Sequence, residues 1–157
     1  MEIEPVKPAF NAHNKTEYPP AHTAEHILNR TMDILYHCGR SKNAHIERRK
    51  SKCDYELSES ITSDEIQHIE ELVNEVIARD LPVTYELTTK HEAVSEFDLN
   101  RLPDDSSDAL RIVRIGDYDA CPCLGLHVEH TSQVGSFKLS SYSWNDGILR
   151  LRWKIDE

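Results

Sequence analysis

Two pairs of metal-ligating side chains, each with its members four residues apart, stand far from one another in this chain: His22 with His26 near the start, and Cys123 with His127 in the last third. On a helix of 3.6 residues per turn the first pair projects from one face one turn apart, so both imidazoles can reach one ion. The second pair brackets Gly125 in CPCLGLHVEH, a stretch read as a tight turn. With nine histidines in 157 residues, chance alone supplies about 0.5 His-x-x-x-His pairs and about 0.2 Cys-x-x-x-His pairs. Either pair by itself is therefore as well explained by ordinary, partly exposed side chains. Together they make a His, His, Cys, His set suited to tetrahedral zinc. If one ion takes all four, the fold must bring the last third of the chain back to its first helix.

The residue after His22 is Thr23, where a His-Glu-x-x-His metalloprotease helix carries its general base, so peptidase chemistry is not indicated. Glu25, three residues after His22, falls near the same helix face. It is a candidate for the surroundings of the site, as are Cys121 and His130 from their closeness in sequence to Cys123 and His127. No Ser-His-Asp set and no paired carboxylates can be picked out.

Around these pairs the chain reads as one α+β domain over residues 21–157, preceded by a proline-rich, extended lead-in over 1–20 with room for a short strand near Glu2 to Val6. The spacing of Ile27, Met32, Ile34 and Leu35 predicts a helix over 21–38, stopped by Gly39. Ala44 to Leu57 alternates as a bent strand or hairpin. Thr62-Ser63-Asp64-Glu65 is a capping box, and the stripe Ile66, Ile69, Leu72, Val73, Val76 and Ile77 behind it predicts a helix over 63–79. Strands are expected at Val83 to Leu87 and Arg111 to Ile115, a short helix at Lys90 to Phe97 and a polar loop at Leu102 to Asp108. A final hairpin pairs Val134 to Ser143 with Ile148 to Ile155 across Asn145-Asp146-Gly147. The expected architecture is an antiparallel sheet packed around two long helices.

Composition bounds the partners. Asp and Glu number 28 against 18 Lys and Arg, a formal net charge of -10 that argues against a nucleic-acid partner on the whole-molecule scale. The cations are uneven: Arg40, Lys42, Arg48, Arg49, Lys50 and Lys52 crowd into one short stretch. There is no apolar run of membrane-spanning length, and MEIEPVKPAF lacks the basic start and apolar middle of a signal peptide, so neither a membrane nor secretion is expected. Four cysteines without a scaffold pattern fit a reducing cytoplasm.

The pairing of HTAEHIL with Cys-x-Gly-x-His-Val, followed by Thr131 and Val134-Gly135, resembles the editing domain shared by alanyl- and threonyl-tRNA synthetases and their free-standing AlaX-type relatives. Ile69-Glu70 with Val73-Asn74 is similar to the family's helix pattern, and Cys53-Asp54-Tyr55 stands where the family often has Phe-Asp-Phe. The resemblance covers His22 to Ile155. It implies that His22, His26, Cys123 and His127 are zinc ligands and that Thr23 lines the pocket near the hydroxyl of the amino acid. It also implies hydrolysis of the ester joining a wrong amino acid, typically serine or glycine, to the acceptor end of alanine tRNA. The chain departs from the synthetases' Cys-Gly-Gly-Thr-His by carrying Leu124 and Leu126. Two other readings stand beside this one: a zinc-bearing tRNA- or partner-binding module without turnover, and a metal hydrolase of a small ester or amide. DNA is not an expected partner, and the oligomeric state is left open.

How so acidic a chain would hold RNA turns on residues 46–55. As one strand they would place Arg48, Lys50 and Lys52 on one face, a row of cations about 7 Å apart. Such a row is equally an ordinary solvated guard on an edge strand. Arg150, Arg152 and Lys154, alternating with Leu149, Leu151, Trp153 and Ile155, offer a second candidate face.

Overall fold

The computed structural model describes residues 18–89 and 109–156. The chain opens with helix α1 (Pro19–Tyr36), followed by the short strands β1 (Asn43–His45) and β2 (Ser51–Glu56) and helix α2 (Ser63–Ala78). Strands β3 (Val83–Thr89), β4 (Ala109–Ile115) and β5 (Asp119–Pro122) follow. A 3-10 turn (Thr131–Val134) then leads into β6 (Ser136–Asn145) and β7 (Ile148–Asp156). The α+β class and the antiparallel pairing are as expected. The strands divide into two sheets, a four-stranded one in the order β1-β2-β7-β6 and a three-stranded one in the order β3-β4-β5. The expected strand near Glu2 to Val6, the short helix at Lys90 to Phe97 and the loop at Leu102 to Asp108 lie outside the described residues.

Helix α1 begins earlier than its apolar spacing suggests, because Pro19 and Pro20 occupy the first turn, where a missing N–H costs no helical hydrogen bond. It ends earlier as well. His37 takes the left-handed conformation (φ 54°) and returns its N–H to Asp33 O, while the Asp33 carboxylate accepts from Gly39 N at 2.9 Å. Helix α2 starts on its capping box: Thr62 Oγ1 accepts from Glu65 N, and Glu65 Oε1 accepts from Thr62 N.

The Ile69-Glu70 and Val73-Asn74 pattern has a physical meaning. Ile69 and Val73 are fully buried, while Asn74 bonds both backbone groups of Phe137 (2.8 and 2.9 Å) and Glu70 accepts from Leu139 N at 2.7 Å. The helix thus satisfies the open edge of β6. Thr131 ties the other end, accepting from Leu81 N and reaching the terminal carbonyls of Val76 and Ile77. Val134 falls in the 3-10 turn rather than in β6, because Gly135 (φ 94°) breaks the extended run. The core joins Ala24, Ile27 and Leu28 of α1, Ile69 and Val73 of α2, Tyr55, Leu149, Leu151 and Trp153 of the larger sheet, and Val113 and Ile115 of the smaller.

Of the two readings of Ala44 to Leu57 the hairpin is the one that forms, with β1 paired antiparallel to β2, and the continuous strand that the cation row required is corrected. Residues 46–55 are not one strand: Arg48 and Lys50 lie in the turn between β1 and β2, and of the proposed row only Lys52 is in a strand. Ser51 is the cause. Its hydroxyl accepts from Glu47 N (2.9 Å) and donates to Glu47 O (2.6 Å), offering the backbone a closed turn in place of ladder bonds.

Candidate metal centre

Helix α1 presents His22, Thr23 and His26, and the segment leaving β5 presents Cys123 and His127. Their ligand atoms all lie within 4.8 Å of one another. Cys123 Sγ is 3.4 Å from His22 Nε2 and 3.6 Å from His127 Nε2. A tetrahedral ion with N ligands at about 2.1 Å and an S ligand at about 2.3 Å needs donors about 3.5 Å apart. The donor set fits.

What makes it a site rather than a cluster is the other nitrogen of each ring. His22 Nδ1 is 3.1 Å from Leu126 O, His127 Nδ1 is 3.0 Å from Thr23 Oγ1, and His26 Nδ1 is 3.5 Å from Asp119 Oδ2. All three acceptors lie on the outside of the cluster, so each ring carries its proton on Nδ1 and turns Nε2 inward. The His26 contact is the longest, and it leaves this buried Nδ1 without a full hydrogen bond among the described residues. Burial alone would push the Cys123 thiol up, but the three imidazoles gathered around its sulfur, His127, His22 and His26, hold it well below the ordinary thiol range. Burial would lower all three histidines. It prevails at His127, brought down to about 4 with help from the neighbouring His26 and His22, whereas Asp119 and the Cys123 sulfur hold His26 above its usual value.

Asp119 was not singled out from the sequence, and Arg40 was read only as part of the cationic stretch. The Arg40 guanidinium grips the buried Asp119 carboxylate in a two-pronged pair (3.0 and 3.1 Å), holding it against His26 and keeping its pKa far below the usual carboxylate range despite burial. Arg111 was also missed. Its side chain donates to Cys123 O at 2.8 Å and to Gly125 O, and it lies 4.5 Å over the Tyr85 ring, so β4 fixes the backbone of the turn that carries two ligands. The one sequence cue for Arg111 is its place beside Ile112, Val113 and Ile115, a cation, like Arg114, in a largely apolar strand.

The other candidates separate. Glu25 Oε1 stands 3.9 Å from His22 Nε2, at the rim of the cluster. Cys121 is outside the four-ligand group and is paired in β5 with Val113; its thiol is raised by burial. His130 is exposed at the head of the 3-10 turn, its N–H given to Gln133 Oε1. Thr23 is fully buried, and besides His127 it accepts from Val128 N at 3.2 Å. Among the described residues no helix is long and apolar enough to cross a membrane.

Residues 110–152 match the model of the threonyl and alanyl tRNA synthetase second additional domain. The chain is 34% identical over 123 residues to an alanine–tRNA ligase of Fervidobacterium nodosum, covering 78% of this chain and 14% of that one. It is 30% identical over 152 residues to an alanine–tRNA ligase of Methanococcus vannielii, covering 94% of this chain and 17% of the ligase. A Saccharomyces cerevisiae protein that carries the provisional name alanyl-tRNA editing protein alaX is 31% identical over 156 residues, covering 88% of this chain and 34% of the relative. The chain thus spans only a minor part of the length of each of these relatives. The helix and turn that build the His/Cys cluster, the matched second additional domain and these relatives together make the chain a member of the editing-domain family of alanyl- and threonyl-tRNA synthetases.

Proposed function

We propose that this chain is a zinc-dependent hydrolase that removes a wrong amino acid, serine or glycine, from the acceptor end of alanine tRNA in the cytoplasm. The observation that carries the reading is the inward set of three Nε2 atoms and one thiolate, each imidazole tethered through Nδ1. Water adds to the ester carbonyl, the bond to the ribose oxygen breaks, and the products are free amino acid and tRNA with its hydroxyl restored. An aminoacyl ester is already activated, so the site needs a positioned water, a stabilised oxyanion and a small pocket. His22, His26, Cys123 and His127 would hold the zinc, which when bound supplies Lewis acidity and lowers the pKa of water.

Thr23 uses both hydroxyl lone pairs, one on Val128 N and one on His127 Nδ1, and this leaves its O–H proton to donate. That donor suits a serine hydroxyl and gives glycine nothing. Arg48 and Lys50, in the turn after β1, and Lys52 of β2 are proposed RNA contacts as a cluster rather than as a strand row.

The test is incubation with a panel of mischarged tRNAs. Serine or glycine should be released from alanine tRNA, with little alanine released from the correctly charged form. Absence of release from every mischarged tRNA contradicts the proposal, and retained tRNA binding with no release would favour the module without turnover. The specific feature favouring that second reading is Leu126, 61% exposed beside His22 and His127.

A further inference from the structure

The larger sheet packs α1 and α2 against one face, through Tyr55, Leu149, Leu151, Trp153 and Phe137. The residues alternating with these point the other way, and register places cations opposite cations at the centre of that outer face. Lys52 of β2 is the direct partner of Arg152 of β7, and Lys154 of β7 is the direct partner of Lys138 of β6. Neighbouring strands are about 4.8 Å apart and alternate residues along β7 about 7 Å apart, so four positive charges share one small patch. Arg152 and Lys138 are exposed and the other two half-buried.

Two features set this apart from a solvated surface. Like charges directly opposite each other destabilise a sheet, and this chain has carboxylates to spare, with 28 acids against 18 cations. Guarding an edge strand explains only Lys138, because β2 and β7 are the interior strands of the β1-β2-β7-β6 order. The acids on this face lie around the patch rather than within it. Asp54 is taken by Arg150 (2.7 and 2.9 Å), Glu56 faces Ile148, and Asp156 sits 3.9 Å from Lys154 at the strand end. Among the described residues no carboxylate comes within ion-pair distance of Lys52, Lys138 or Arg152. The turn that carries Arg48, Arg49 and Lys50 abuts the same end of β7, where Ile155 N bonds Arg48 O at 3.2 Å.

We infer that the outer face of the four-stranded sheet, centred on Lys52, Lys138, Arg152 and Lys154, binds the phosphodiester backbone of RNA. This rests on the proposed tRNA substrate and adds to it. The face is turned away from α1 and the ligand cluster, so the backbone held here is a different part of the RNA from the end that reaches the site. Binding on this face therefore strengthens affinity without entering the reaction.

The test compares wild type with the triple variant Lys138→Ala, Arg152→Ala, Lys154→Ala. Affinity for whole tRNA should fall at least tenfold near physiological salt. The slope of log affinity against log salt should flatten by about 2 to 3, at roughly 0.7 to 0.9 for each phosphate that is no longer neutralised. The variant should melt at or above the wild-type temperature, since like-charge pairs are removed. Hydrolysis of an aminoacyl ester on a CCA trinucleotide, too short to reach the outer face, should be unchanged, and a Lys138→Arg, Lys154→Arg variant should keep tRNA affinity. Unchanged tRNA affinity and salt slope in the triple variant would overturn the inference. So would loss of binding to phosphatidylserine vesicles alone, with tRNA binding intact. Salt-sensitive tRNA binding that the triple variant loses, with no ester hydrolysis by either protein, would uphold this surface while overturning the proposed activity.

Discussion

Thr23 shows how much one side chain can carry in this site. It is fully buried, orients His127 through Nδ1 and anchors the turn through Val128 N. Thr23→Val keeps the shape and removes all three hydrogen-bonding functions, leaving a buried N–H and an imidazole unpaired at a cost of about 1 to 3 kcal/mol. Loss of an outer partner of a metal-ligating histidine lowers metal affinity about 10- to 100-fold. With metal in excess, the variant should release serine more slowly while glycine release changes less; equal losses on both substrates would remove Thr23 from discrimination. Asp119→Ala makes a different demand. It leaves Arg40 without its counter-charge and His26 without its acceptor, and breaking one side of a buried pair costs about 3 to 5 kcal/mol. Thermal melting and a metal titration should therefore both show loss, and wild-type metal affinity in this variant would dismiss Asp119 as the partner of His26. The four candidate ligands were legible in the sequence because each pair is local, one on a helix and one in a turn. Asp119 and Arg40 were not, because their meaning arises from a contact between residues 79 apart in the chain.

Where a local signal includes its own hydrogen-bond partners, an element could be read directly. The capping box at Thr62 and Glu65 is one case, and the final hairpin is another. Asp146 (φ 52°) and Gly147 (φ 84°) form its two-residue loop with positive φ at both positions, as the tight hairpin turn requires. A Cβ at Gly147 would meet nothing within 4 Å, so Gly147→Ala should cost only the backbone term, about 1 kcal/mol. Chemical denaturation should show that loss with metal binding unchanged; a neutral substitution would mean that the turn does not enforce the β6–β7 register. The segment 46–55 illustrates the opposite situation. Alternation allowed a bent strand or a hairpin, and the hairpin forms where the Ser51 hydroxyl closes on Glu47, so the cation row that required a continuous strand does not. Periodicity registers side-chain patterns and is blind to a side chain that competes for the backbone.

On the scale of the whole molecule, the net charge of -10 and the cationic outer face belong together. The average says little about binding RNA, while the register of β2, β7 and β6 gathers cations that the sequence holds in three separate stretches. The division of the strands into two sheets was likewise illegible, since strand order follows from which edges Asn74, Glu70 and the core leave to be paired. Helix α1 and the segment leaving β5 of the smaller sheet meet at the His/Cys cluster, so the proposed metal binding would be coupled to the assembly of the fold. The most direct test is the rate of serine release from seryl-alanine-tRNA by one preparation, measured as isolated, after chelation and dialysis, and after one equivalent of zinc is returned. Release should fall to the uncatalysed rate on metal removal and recover with the single equivalent; undiminished release by the metal-free chain would contradict the zinc-dependent reaction.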